Sequence, residues 1–131
     1  EKILNKEDCQ EFISISAKRE ARDVYSFWAV IRKEVQQFLG ICGLLAQEVD
    51  GINELEVAYR INDQYWGNGY ATEATKSCMD LSQDFLRATS IISIILPENR
   101  SSVRVAEKNG LIVEKESLFH AYQVQIYRKV F

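Results

Sequence analysis

The passage from Leu55 to Leu86 constrains this chain more than any other. Leu55-Glu56-Val57-Ala58-Tyr59-Arg60-Ile61 alternates as a strand does, with Leu55, Val57, Tyr59 and Ile61 on one face and Glu56, Ala58 and Arg60 on the other. It runs into Gln64-Tyr65-Trp66-Gly67-Asn68-Gly69-Tyr70-Ala71-Thr72-Glu73-Ala74, and Thr72 to Leu86 has helical periodicity. A strand thus feeds a loop with two glycines, Gly67 and Gly69, and the loop opens a helix. This order gathers backbone N–H groups at the positive end of a helix dipole, an arrangement that suits a phosphate or pyrophosphate. Glycine at both positions permits unusual dihedrals and lets a ligand approach the backbone. A strand-to-helix turn without a ligand has the same local pattern.

The remaining segments supply what such a unit packs against. A helix is predicted over Lys6–Glu20, with Phe12, Ile13 and Ile15 as its apolar positions. Tyr25–Arg32 is rich in aromatic and β-branched residues and is predicted as a strand. The polar turn Lys33–Gln36 leads to a second arm, Gln37–Gln47, in which Gly40 and Gly43 signal a bulge or bend. Asp50-Gly51 marks the turn into a third strand, Glu54–Asn62. In the helix after the glycine loop, Ala71, Ala74, Thr75, Cys78, Met79, Leu81, Phe85 and Leu86 form an apolar stripe. Ser90–Leu96 is almost continuously apolar, the signature of a buried central strand, and Pro97 ends it. A short helix, Ser102–Asn109, follows a cap at Asn99 or Ser101 and closes at Gly110. Leu111–Lys115 and Phe119–Val130 are predicted as strands. The pattern is that of one α/β domain over residues 1–131, with a mixed, mostly antiparallel central sheet flanked by helices.

Several function classes are excluded. With 16 Lys and Arg against 19 Asp and Glu, the net charge of -3 lacks the basic footprint of a nucleic-acid binder. The longest apolar run, Ile91 to Leu96, is strand-sized and far too short for a bilayer. Cys9, Cys42 and Cys78 have neither a metal spacing nor a disulfide framework, and are expected as buried free thiols in a reducing cytoplasm.

Three segments together carry a resemblance. They are the strand from Leu55 to Ile61, the loop Gln64-x-x-Gly67-x-Gly69-Tyr70-Ala71-Thr72-Glu73-Ala74, and Pro97-Glu98-Asn99-Arg100-Ser101-Ser102 continuing to Glu107-Lys108-Asn109-Gly110. In motif and spacing the chain resembles the GNAT superfamily of acyl-CoA-dependent N-acetyltransferases, and within it the branch of ribosomal-protein-alanine N-acetyltransferases. The resemblance covers roughly Tyr25 to the end. It implies a single-domain GNAT fold, acetyl-CoA as co-substrate without a metal, a primary amine as acceptor, and a monomer or homodimer in the cytoplasm. The family's usual first strand has no counterpart here, which points to a domain trimmed at its amino terminus. Asn109 and Leu111 replace apolar and Phe positions of the family pattern. Ala106 stands where many members carry a Tyr proton donor, so that donor is absent.

The resemblance also implies roles. Backbone N–H groups of Trp66, Gly67, Asn68, Gly69, Tyr70 and Ala71 would take the coenzyme pyrophosphate. The backbone of Tyr59, Arg60 and Ile61 would pair with the pantetheine arm as an added strand, and an N–H near Arg60 or Ile61 would polarise the thioester carbonyl. Asn99 would bond the pantetheine or hold the splayed strands, alongside its plain reading as a helix cap. Glu56 is the candidate base for the amine and Ser102 the candidate proton donor to the thiolate. Arg104, Lys108 and the single histidine, His120, are weaker candidates for phosphates and acceptor. The acceptor would be selected by the first helices and the segment Glu116–Ala121. A non-catalytic acyl-CoA-binding regulatory or scaffold module of the same fold is the alternative.

Overall fold

The computed structural model describes residues 25–131 together with Gln10 and Lys18. The helix predicted over residues 6–20 lies outside the described residues, save for Gln10 and Lys18, which are helical. The elements are β1 (Phe27–Arg32), β2 (Gln37–Val49), β3 (Ile52–Ile61), a 3-10 turn (Asp63–Tyr65), α1 (Tyr70–Asp84), β4 (Ser90–Ile95), α2 (Arg100–Lys108), β5 (Ile112–Phe119) and β6 (Tyr122–Val130). They build a six-stranded sheet in the order β1-β2-β3-β4-β6-β5. Every neighbouring pair is antiparallel except β3 and β4, which run parallel around the crossover helix α1. The chain is thus a mixed α/β domain with a mostly antiparallel sheet.

Local chemistry sets the connections. Asp50 and Gly51 both adopt positive φ, 51° and 77°, which is the two-residue turn that an Asp-Gly pair favours between antiparallel strands. The β1–β2 register slips between Val30 and Ile31, where Leu39 is the extra residue of a bulge. Gly40 is required there, because a Cβ on it would lie 2.2 Å from the carbonyl oxygen of Arg60.

Each face of the sheet has its own core. On the first, Cys42, Leu44, Val57, Ile91, Ile95 and Tyr127 pack under the helices against Cys78, Met79 and Ala106. The helix α1 buries Thr75, Cys78, Met79 and Ser82, which recur at helical spacing. Leu81 and Phe85, predicted in the same stripe, are exposed: four residues apart, they share a side of α1 off the face that buries Thr75, Cys78, Met79 and Ser82. The Cys42 and Cys78 sulfurs lie 3.6 Å apart as free thiols. Contact with Cys78 and burial push the Cys42 thiol up, so it stays protonated. On the second face Val49, Ile92, Val124 and Ile126 form a smaller cluster with Ile94, Leu96 and Phe119.

The carboxy-terminal hairpin differs from its sequence pattern. β5 continues to Phe119, so Glu116–Phe119 is strand, and the turn is only His120-Ala121, with φ of 48° and 69°. Neither residue is a turn former, and so the hairpin left no signal. Arg128 on β6 ties four strands together. It donates to Glu54 on β3, to Ser90 Oγ on β4 at 2.9 Å and to Glu114 on β5 at 2.6 Å. Among the described residues no helix is long and apolar enough to cross a membrane.

Candidate active site between the splayed strands

The site begins where β3 and β4 separate. Their only registered pair is Glu56 with Ile92. In a regular parallel ladder the next bond would run from the Ile94 N–H to the Val57 carbonyl. Side chains take both groups instead. Glu56 Oε2 accepts from the Ile94 N–H at 3.2 Å, and Ser93 Oγ donates to the Val57 carbonyl at 3.0 Å. Ser93 comes from the helix-covered face and Glu56 from the opposite one, so the parting is pinned from both sides. Glu56 is buried at 6% exposure, and its Oε1 accepts from Gln47 Nε2 at 3.0 Å.

Beyond this point β3 has an open edge among the described residues. The Asn62 N–H donates to Leu39 at 2.9 Å, and the Arg60 carbonyl lies against Gly40, both on the β2 side. Strand alternation therefore turns the amides of Glu56, Ala58 and Arg60 toward β2 and those of Val57, Tyr59 and Ile61 toward the gap. The Ile61 carbonyl accepts from Trp66 Nε1 at 2.8 Å, which folds the indole over the strand end.

A cleft of about 230 Å³ fills the gap on the helix-covered face. One wall is Tyr59, Arg60 and Ile61; the end is Tyr65, Trp66, Gly67, Gly69, Tyr70, Ala71 and Thr72; the other wall is Asn99, Ser101, Ser102, Arg104, Val105 and Lys108. Gly67 and Gly69 have φ of 83° and 80°, and a Cβ at either would meet nothing within 4 Å. The loop backbone is therefore open to a ligand. Gly69 caps α1 without any side-chain hydrogen bond, which leaves its first-turn amides for an anion. Among the described residues the lining has three cations, Arg60, Arg104 and Lys108, and no carboxylate. In a chain of net charge -3 this concentrates positive potential at the cleft.

The other sequence candidates occupy definite places. Asn68 is absent from the lining; its Nδ2 donates to the Tyr65 carbonyl at 3.0 Å and braces the loop. Asn99 caps α2, its Oδ1 accepting from the Ser102 N–H at 3.3 Å and from Ser101 Oγ at 3.1 Å. Ser102 lines the cleft, and its carbonyl accepts from Tyr59 Oη at 2.7 Å. Burial pushes the Tyr59 phenol up, so it remains a neutral donor that fixes α2 to β3. Asn109 is buried, and its Nδ2 donates to the Thr72 carbonyl at 3.3 Å, tying the end of α2 to the first turn of α1.

Glu56 and His120 line a second hollow of about 340 Å³ on the opposite face, with Ile94, Leu96, Phe119, Tyr122 and Val124. Glu56 thus faces one opening and Ser102 the other. Sequence reasoning missed Ser93, Gln47 and the Tyr59–Ser102 bond. The available signal for Ser93 was its place as the one polar residue inside Ile91–Ile95. Among the described residues no group of three His, Cys, Asp or Glu gathers as a metal site.

A splayed mixed sheet with a glycine-led helix at its opening is the architecture of an acyltransferase-type domain, and comparison with known proteins gives the family. The family described as Acetyltransferase (GNAT) domain matches residues 1–112. The chain belongs to that family. It is 32% identical over 113 residues to the uncharacterized protein YkkB of Bacillus subtilis (strain 168), an alignment covering 86% of this chain and 66% of YkkB. The chain spans about half to two thirds of the length of the curated relatives it matches. The acetyltransferase from Agrobacterium tumefaciens str. C58 superposes with a TM-score of 0.82 at 18% identity, over 96% of this chain and 72% of that one. The ribosomal-protein-S5-alanine acetyltransferase from Vibrio fischeri gives 0.78 at 16% identity, over 99% and 77%. The spermidine N-acetyltransferase from Vibrio cholerae, solved with CoA and spermine, gives 0.76 at 18% identity, over 99% and 78%.

Proposed function

We propose that this chain moves the acetyl group of acetyl-CoA to a primary amine, a protein N-terminus or a small amine, by direct attack in a ternary complex. The observation that carries the reading is the cleft itself: a helix start without a side-chain cap at its end, three cations on its two walls, and an open strand edge leading to the parting of β3 and β4.

The donor supplies an activated acetyl thioester and a thiolate leaving group. The amides of the loop from Trp66 to Ala71 bind its pyrophosphate, with Arg60, Arg104 and Lys108 adding charge. The inward-facing amides of Tyr59 and Ile61 take the pantetheine arm as an added strand. Glu56 receives a proton from the ammonium of the acceptor, so that the neutral nitrogen attacks the acetyl carbon. As the C–N bond forms the C–S bond breaks, and the second proton lost by nitrogen reaches sulfur with Ser102 as hydrogen-bond partner. The products are the acetamide, the free thiol of CoA and one released proton.

A specific observation favours a second reading. Both oxygens of Glu56 already accept a hydrogen bond, from Gln47 and from Ile94, as expected of a structural pin. On that reading the domain holds acyl-CoA without turnover. Acetyl-CoA incubated with an amine panel separates the two. Amine-dependent thiol release supports transfer, and coenzyme binding with no release on any amine supports the holding module.

A further inference from the structure

We infer that the acceptor is a singly charged amine carrying a compact apolar or aromatic group, and that the hollow behind Glu56 is where that group binds. The inference rests on the acetyl-transfer reading and names the substrate class for it. The second hollow shares Glu56 with the parting of the strands, so an amine bound there meets the edge where β3 and β4 separate. Its charge pattern is the reverse of the coenzyme cleft. Among the described residues it has one carboxylate, Glu56, and its walls are otherwise Ile94, Leu96, Phe119, Tyr122 and Val124 with the His120 ring. Phe119 and His120 stack edge to face at 4.1 Å, which gives the far wall an aromatic surface.

A buried carboxylate compensates one ammonium. Among the described residues that line the hollow, a second or third ammonium would find no carboxylate besides Glu56, and its desolvation against those apolar walls would oppose binding. A hydroxyl placed there would likewise lose its water hydrogen bonds. An apolar substituent instead gains from leaving water. At about 340 Å³ the hollow is near the lower end of small-ligand pockets and has room for a compact ring or branched alkyl group.

The test uses the full chain saturated with CoA, titrated calorimetrically with 2-phenylethylamine, ethanolamine and spermidine. The expected result is that 2-phenylethylamine binds about tenfold or more tightly than either of the others, the effect of burying one ring. Tyr122→Ala and Leu96→Asn are expected to weaken 2-phenylethylamine several-fold and to leave CoA affinity unchanged. Tyr122 is 64% exposed, so its replacement leaves the fold intact. Spermidine or ethanolamine binding equally well or better would overturn the inference. So would an absence of amine binding to the CoA-loaded chain, or 2-phenylethylamine affinity indifferent to both variants. Failure of CoA itself to bind, read in the same titrations, overturns the acetyl-transfer reading and this inference with it.

Discussion

The carboxylate of Glu56 accepts the backbone N–H of Ile94 at 3.2 Å across the point where β3 and β4 part. One side chain thereby ends the parallel ladder and presents an acidic group at the vertex of the opening. Its structural and chemical roles share the same atoms, so mutations that separate them are informative.

Glu56→Gln retains an oxygen that can accept from Ile94 but has no carboxylate to receive a proton. The rate of acetyl transfer is expected to fall by about 10² to 10⁴. CoA affinity should change by no more than about threefold, because the amide preserves the pin. Thiol-release kinetics beside calorimetry check both. A rate equal to wild type would remove Glu56 as the base.

Ser93→Ala acts from the other face. It leaves the buried Val57 carbonyl without the hydroxyl that now donates to it. Urea unfolding is expected to show a loss of about 1 to 3 kcal/mol, the cost of an unsatisfied buried group. No measurable loss would mean that Ile94 re-forms the ladder bond to Val57 and that the parting needs no pin.

Gly67→Val tests the coenzyme end. At φ of 83° a β-branched residue is strained, by about 1 to 3 kcal/mol, which a domain of this size survives. Its side chain enters the space above the loop, and CoA affinity is expected to drop by at least about tenfold, one lost phosphate contact's worth. Affinity at the wild-type level would overturn the loop assignment.

Acid sensitivity follows from two surface carboxylates. Lys115 at 2.8 Å and the Ser117 hydroxyl hold Asp50 below its ordinary 3.8, and Arg128 holds Glu114 below its ordinary 4.5. Groups with depressed folded-state values stabilise above their unfolded values, and that contribution is lost as pH falls through the depressed ones. The urea midpoint is expected to decline from about pH 5 downward. Lys115→Met should flatten the decline by removing the main cause at Asp50; an identical slope in the variant would contradict the assignment.

Parts of this architecture were legible in the sequence because they depend on local chemistry. Asp50-Gly51 specifies its turn, the spacing of Thr75, Cys78 and Met79 specifies a helix face, and Gly67 and Gly69 specify an open loop. The motif segments extended this to the family. The pins at the vertex depend on residues such as Glu56 and Ile94, which come together only after the crossover through α1 has formed. No local pattern encodes that meeting. The His120-Ala121 turn was invisible for a different reason: a two-residue turn between antiparallel strands takes positive φ at both positions, and this pair is not one that favours it. The Tyr59 hydroxyl gave no signal either, because its partner is a backbone carbonyl on α2.

The central claim is direct transfer from coenzyme to amine at Glu56. Isotopically labelled acetyl-CoA incubated with the chain and 2-phenylethylamine, followed by mass spectrometry of both, tests it most directly. The account predicts label on the amine nitrogen in step with released CoA, an unmodified protein mass throughout, and loss of transfer in Glu56→Gln. Label retained on the protein as a transfer intermediate, or labelled coenzyme bound with none reaching any amine, would contradict it.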